Sequence, residues 1–235
     1  MTHLHNSGFQ TRLTLEDILE SAEYKFFLKP AIRNSTQLDD QEYLNLFLEL
    51  QTWEAPQYIQ EGFKYSFGGY DTQNRPIWMS TIAKYPYKEA LNGGDADVLE
   101  RFIWKRLLWM IKSIVAKSPE ENPTQQALFI NNYEGFSLGQ LLHGPTMAFR
   151  RKMAGKYKDI VPEILGQGVG INMNRISAWL LNLFRPFIGK SLEKVELFGK
   201  DESKWRPRLQ ELFGREEIPS FDEDIYDFPQ TVLVM

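Results

Sequence analysis

The chain contains no cysteine, which removes disulfides, thiolate nucleophiles and cysteine-ligated metals at once. Histidine is nearly as scarce: His3, His5 and His143 are the whole set, and two of them stand in the first five residues. Little is left for general acid–base or activated-nucleophile chemistry of the usual kinds. Positive charge is also short. A net charge of −4 argues against a nucleic-acid partner, whose affinity rests on neutralising phosphates. No uncharged apolar run reaches the about 18 residues of a membrane-spanning helix. The longest are broken by Lys105, Arg106 and Lys112, or by Asn182 and Arg185. The start, MTHLHNSGFQ, has no apolar core of signal-peptide length, so the expected location is the cytoplasm.

Aromatic residues are abundant instead, with 16 Phe, 10 Tyr and 6 Trp in 235 residues. They fill cores, but they also line ligand cavities. Residues 1–10 read as a flexible tail and residues 11–62 as a helical unit. Thr14 and Asp17 have capping-box spacing, and a second helix is predicted over about Asp39–Thr52. From Phe63 the pattern becomes a strand, a turn at Asp71–Asn74 and a strand over Ile77–Ala83. A long helix over Asp95–Lys117, a strand over Ala127–Tyr133 and a broken helix over Phe136–Ala154 come next. The pattern closes with a strand over Val169–Met173, a helix over Ser177–Ile188, a strand over Val195–Phe198 and a helix over Trp205–Leu212. Strands alternating with helices predict an α/β domain with a mostly parallel sheet.

The stretch ILGQGVGINMN carries glycines at 166, 168 and 170. A dinucleotide loop needs its glycines after a strand and at the opening of a helix. Here they fall before and inside the apolar strand, and no Gly-Lys-Ser/Thr follows, so the phosphate reading fails on position. Ser137 in GFSLG is not read as a nucleophile elbow, and His143 reads as a helix-end residue rather than a ligand. No catalytic residue, catalytic cofactor or metal site is assigned.

Five segments together resemble the CRAL-TRIO lipid-binding family. They are GYDTQNRPIWM (Gly69–Met79), FINNYEGFSL (Phe129–Leu138), YKDIVPEILGQGVGINMN (Tyr157–Asn174), LFRPFIGKSLEKVELFG (Leu183–Gly199) and REEIPSFDED (Arg215–Asp224). The resemblance implies a lipid-binding domain over 63–224, with 225–235 as a C-terminal extension. It also implies a sheet flooring an apolar cavity closed by a gate helix, with a small helical N-terminal unit. Ile176, Trp179, Leu180, Leu183, Phe184 and Phe187 form the apolar stripe of such a gate, although an ordinary core helix carries the same pattern. Its aromatics would touch a membrane surface transiently during loading and release.

Carried over by position and alternation, Ala127, Phe129, Asn131 and Tyr133 face the cavity from one strand. Gly168 and Gly170 do so from the next, and Val195 and Leu197 from a third. Phe67 and Trp78 of the hairpin, and Trp109 and Met110 of the long helix, are also expected at the ligand. Arg106 either joins them or snorkels outward. The family has bulky side chains where Gly168 and Gly170 stand, so these glycines either widen the cavity or admit a bulge or a large neighbouring side chain.

The phosphatidylinositol carriers of the family hold their headgroup with basic residues. Glu163 and Lys194 match two of those positions, but the arginine position is Ile164 and the N-terminal basic pair falls on Ala31 and Ile32. The implied ligand is therefore a hydrophobic small molecule of the carotenoid, retinoid, tocopherol, sterol or fatty-acid class. A lipid-regulated interaction module, with the acidic segment Phe221–Phe228 as its docking element, and a phospholipid transfer protein are the alternatives. An enzyme acting on lipid ranks behind both, and the sequence assigns no oligomeric state.

Overall fold

The computed structural model describes residues 12–118, 126–221 and 232–233. The expected tail over 1–10 and most of the acidic segment lie outside them.

Strand β1 (Arg12–Leu13) pairs in parallel with the last described strand. Helix α1 (Leu15–Glu20) opens on the capping box anticipated from Thr14 and Asp17: the Asp17 backbone N–H donates to the Thr14 hydroxyl, and the Thr14 N–H donates back to the Asp17 carboxylate at 2.8 Å. Helices α2 (Ala22–Phe27), α3 (Pro30–Thr36), α4 (Asp40–Thr52) and α5 (Gln57–Gly62) complete the N-terminal part. Pro30 does not break the chain here. It stands in the first turn of α3, where its missing N–H costs nothing.

The sheet begins with the hairpin β2 (Ser66–Tyr70) and β3 (Pro76–Thr81). Asp71 builds the turn between them: its carboxylate accepts from the backbone N–H groups of Gln73 and Arg75 and from the Arg75 Nε at 2.8 Å. Helices α6 (Tyr87–Asn92) and α7 (Ala96–Ala116) lead to β4 (Ala127–Asn132). Helices α8 (Gly139–Leu142), α9 (Gly144–Tyr157) and α10 (Ile160–Ile164) lead to β5 (Leu165–Ile171). Helix α11 (Arg175–Ile188) and a tight helical turn at Ser191–Lys194 lead to β6 (Val195–Leu197). Helix α12 (Glu202–Phe213) and β7 (Val232–Leu233), the partner of β1, close the order. His143 caps α9, accepting from the Thr146 N–H, which is the helix-end role read from sequence.

The five-stranded sheet runs β2-β3-β4-β5-β6, antiparallel in the first pair and parallel thereafter. Parallel strands taken in sequence order and joined by right-handed crossovers must place every crossover helix on the same face. That face is the inner one. The opposite face carries Ile77, Met79, Leu128, Ile130, Val169 and Ile171, which pack on Leu209, Leu212 and Phe213 of α12. Alternation along β3, β4 and β5 sends Trp78, Phe129, Asn131, Gly168 and Gly170 inward.

On the outer face Arg208 of α12 grips Glu196 of β6, donating from Nη2 at 2.8 Å and from Nε at 3.0 Å. Arg208 holds the Glu196 carboxyl below its ordinary range, outweighing partial burial. A folded-state pKa below the unfolded value of about 4.3 means that the contribution is full above that value and is lost as pH falls through the folded one. Partial exposure keeps the effect small. Glu196→Gln is expected to narrow the gap between urea stabilities near neutral pH and at about pH 3; an unaltered gap would show that the pair contributes nothing.

Candidate functional site

A cavity of about 400 Å3 lies on the inner side of the sheet. Its floor is Phe129 and Asn131 of β4, Tyr133 just beyond it, Gly168 and Gly170 of β5, and Val195 and Leu197 of β6. Helix α7 contributes Ile103, Arg106, Leu107 and Met110. Tyr157, Val161 and Ile164 come from the end of α9 and from α10, Leu181 and Ile188 from α11, and Ser191 and Leu192 from the turn after it. Tyr65, Ile82, Tyr85 and Tyr87 complete the wall. A second space of about 260 Å3 shares Ile82, Tyr85, Tyr87, Ile103, Tyr133 and Ile188 with the first, and is walled further by Leu180 and Phe184.

The polar groups of the wall are few. Burial pushes the Tyr133 phenol up to about 12 and drives those of Tyr65 and Tyr157 upward as well, so all three stay neutral at physiological pH. The Asn131 side-chain carbonyl accepts from Ser80 Oγ at 2.7 Å. Arg106 does not snorkel outward: its guanidinium lies 4.5 Å from the centre of the Tyr65 ring, and Nη1 reaches the Phe63 carbonyl at 3.4 Å.

Of the residues anticipated at the ligand, the wall thus contains Arg106, Met110, Phe129, Asn131, Tyr133, Gly168, Gly170, Val195 and Leu197. Leu180 and Phe184 face the adjoining space. The others lie elsewhere. Trp78 is one layer behind the wall, stacked on Tyr65 at 5.8 Å with its indole N–H donating to Ser113 Oγ at 3.0 Å. Phe67 packs on Trp78 and Tyr70. Trp109 sits edge-on to Phe102, and Ala127 is fully buried under the helices. Glu163 pairs with Lys29 at 3.5 Å, and Lys194 is exposed, its ammonium donating to the Leu165 carbonyl at 2.9 Å. Ile176 packs with Phe136 and Leu141, while Leu183 and Phe187 are half-buried.

The glycines divide the two readings left open by the sequence. Gly166 is the extra residue of a bulge, since Ala127 pairs with Leu165 and Leu128 with Gln167. At Gly168 a Cβ would stand 2.9 Å from a γ-carbon of Val195, and at Gly170 2.9 Å from a δ-carbon of Leu197. The room above both glycines is thus filled by side chains of β6 leaning across β5. This is a packing solution rather than a widened cavity.

Helix α11 opens on a capping box in which Asn174 accepts from the Ser177 N–H, while the Asn174 amide donates to the Phe136 carbonyl at 2.8 Å. That end is pinned to the loop after β4. Its other end contains Pro186, which cannot donate to the preceding turn. Leu180 is buried, whereas Trp179 is 55% exposed, a large apolar ring on the outer surface of the helix.

Residues 135–139, GFSLG, spell glycine–any–serine–any–glycine between β4 and α8, and the Ser137 backbone N–H donates to Gln140 Oε1 at 2.8 Å. The two ring nitrogens of His143 are engaged by Thr146 and Asn92. Among the described residues no cluster of acidic and histidine side chains could hold a metal ion, and no helix is long and apolar enough to cross a membrane.

The CRAL/TRIO domain model matches residues 60–221. The chain belongs to the CRAL-TRIO family. Domains of this family bind lipids and in general carry rather than transform them. The crystal structure of Sfh5 superposes with a TM-score of 0.52 at 15% sequence identity, covering 89% of this chain and 74% of that one; at such identity the likeness is one of fold. No curated protein sequence matches the chain. The CRAL-TRIO fold accounts for the five-stranded, mostly parallel sheet and the helices that accompany it.

The tyrosines at 65, 85, 87 and 157, with Leu181, Ile188, Ser191 and Leu192, were not anticipated on the wall. Leu181 and Ile188 are seven residues apart beside the predicted stripe, a helical pairing that periodicity alone could have offered. Tyr85 and Tyr87 flank Pro86 where no regular period operates.

Proposed function

We propose that the protein binds and carries, or sequesters, a hydrophobic small molecule of the carotenoid, retinoid, tocopherol, sterol or fatty-acid class, without catalysis. The observation that supports this reading most directly is the cavity itself: about 400 Å3, walled by aliphatic and aromatic side chains with a handful of polar ones. The volume lies toward the low end of the roughly 300–1,000 Å3 typical of ligand pockets, which suits one chain or one ring system. Ile164, at the family's arginine position, is part of that apolar wall, and Ile32 is wholly buried, so neither position offers a cation to a phosphoinositide. The ligand enters when α11 swings away, its pinned N-terminus acting as the pivot. The protein works from the cytoplasm, touching membranes only transiently.

Mass spectrometry and absorbance of an organic extract of the purified protein test the ligand class, and recovery of phosphatidylinositol alone would overturn it. A second reading, phospholipid transfer, draws support from Lys29, a cation of the N-terminal part facing Glu163. The same extract separates the two. Trp179→Asp is expected to slow ligand exchange with vesicles severalfold at unchanged melting temperature, because the ring is exposed in the closed form and its loss removes an interfacial anchor rather than a core contact. Equal exchange rates would remove α11 from the transfer step.

A further inference from the structure

Three residues of the cavity wall each carry a buried polar atom with no hydrogen-bond partner: Arg106 Nε, the Tyr157 hydroxyl and Ser191 Oγ. Buried polar groups are paired in the great majority of cases, so an orphan that faces a cavity identifies what its occupant must offer. Three orphans on one wall, one from α7, one from the end of α9 and one from the turn after α11, are difficult to ascribe to a single local defect.

Their chemistry is specific. Arg106 is the one ionised side chain lining the cavity among the described residues, and no carboxylate of those residues pairs with it. Ring faces of Tyr65, Tyr85 and Phe102 lie within 6 Å and steady the charge, but they leave the Nε hydrogen unspent. A buried cation without an anion is costly, whereas a guanidinium and a carboxylate match in shape and charge. Tyr157 and Ser191 hold hydroxyls that can donate to carboxylate oxygens. A neutral alcohol or a hydrocarbon would leave the cation uncompensated. A single acyl chain asks for less room than a phosphodiester with two, which would need the adjoining space of about 260 Å3 as well as the cavity of about 400 Å3.

We propose that the occupant is a single-chain amphiphile ending in a carboxylate, a long-chain or polyene fatty acid, with the carboxylate paired to Arg106 and hydrogen-bonded by Tyr157 and Ser191. This deepens the carrier reading and rests on it.

The experiment compares a fluorescent long-chain polyene fatty acid with its methyl ester, which have the same chain and differ only in charge at the head. The intact protein is expected to bind the acid at least about tenfold more tightly than the ester, the scale of one charge-assisted hydrogen bond. Arg106→Gln is expected to lower acid affinity to the level of the ester, so that the acid-to-ester ratio falls to about one. Ester binding equal to or tighter than that of the acid in the unaltered protein would overturn the carboxylate assignment while leaving the hydrophobe carrier standing, and it needs no variant that might misfold. Failure of both probes to bind would overturn the carrier reading and the assignment with it.

Discussion

Gly168→Phe is expected to weaken ligand binding at least about tenfold and to cost about 1–3 kcal/mol of stability, the range for overpacking a filled interior. Two facts act together. A Cβ at 168 already falls 2.9 Å from a γ-carbon of Val195, and Gly168 and Val195 are register partners in β5 and β6. Valine is branched at Cβ and stiff, so it cannot turn aside without strand movement. The ring itself then has only the cavity to enter, since Gly168 is part of its floor. Gly170→Ala provides the contrast. Its neighbour is the terminal carbon of Leu197, which is half exposed and free to swing, so a loss below about 1 kcal/mol is expected. Fluorescence titration with a polyene probe and thermal melts of both variants check this. Wild-type affinity in Gly168→Phe would show that the ligand does not lie over β5.

Much of the architecture was legible because sheet alternation is a rigid rule. Once the strands are placed, parity decides that Phe129 and Asn131 share a face with Gly168 and Gly170, and register pairs them. Capping chemistry was equally readable at Thr14, where a short polar side chain precedes the helix it caps, and His143 stands at a helix end as read. What failed to show were elements too short for a period. Helices α5, α6 and α10 have five or six residues each, less than two turns, and their apolar positions form no pattern. Strand β5 begins at Leu165, four residues before the predicted Val169, because glycines at 166 and 168 break the apolar run that identifies a strand. The cavity wall was harder still. Its floor follows from parity, but Tyr65, Tyr85 and Tyr157 reach it from the ends of elements, and only packing decides where such side chains turn.

Trp78 shows where sequence position and physical role separate, and its replacement has the largest expected effect on stability. It stands on a strand face that points inward, which placed it at the ligand by sequence. The structure leaves it 2% exposed, sandwiched behind Tyr65 and edge-on to Phe67 at 5.5 Å. Trp78→Ala is expected to cost about 3–5 kcal/mol, as large aromatic truncations do when the site cannot collapse. Collapse is blocked here because Tyr65 is also stacked on Phe129 at 6.2 Å, so the wall ring has a neighbour on either side. Trp78→Phe should cost much less, because the lost indole N–H leaves Ser113 Oγ still donating to the Met110 carbonyl at 2.7 Å. The decisive comparison is between stability and binding. If Trp78 buttresses the wall without touching the occupant, Trp78→Phe lowers the urea midpoint while keeping polyene affinity within about twofold of wild type, less than any direct contact would cost. A loss of affinity greater than the loss of stability would return Trp78 to the ligand and require the cavity to extend behind Tyr65.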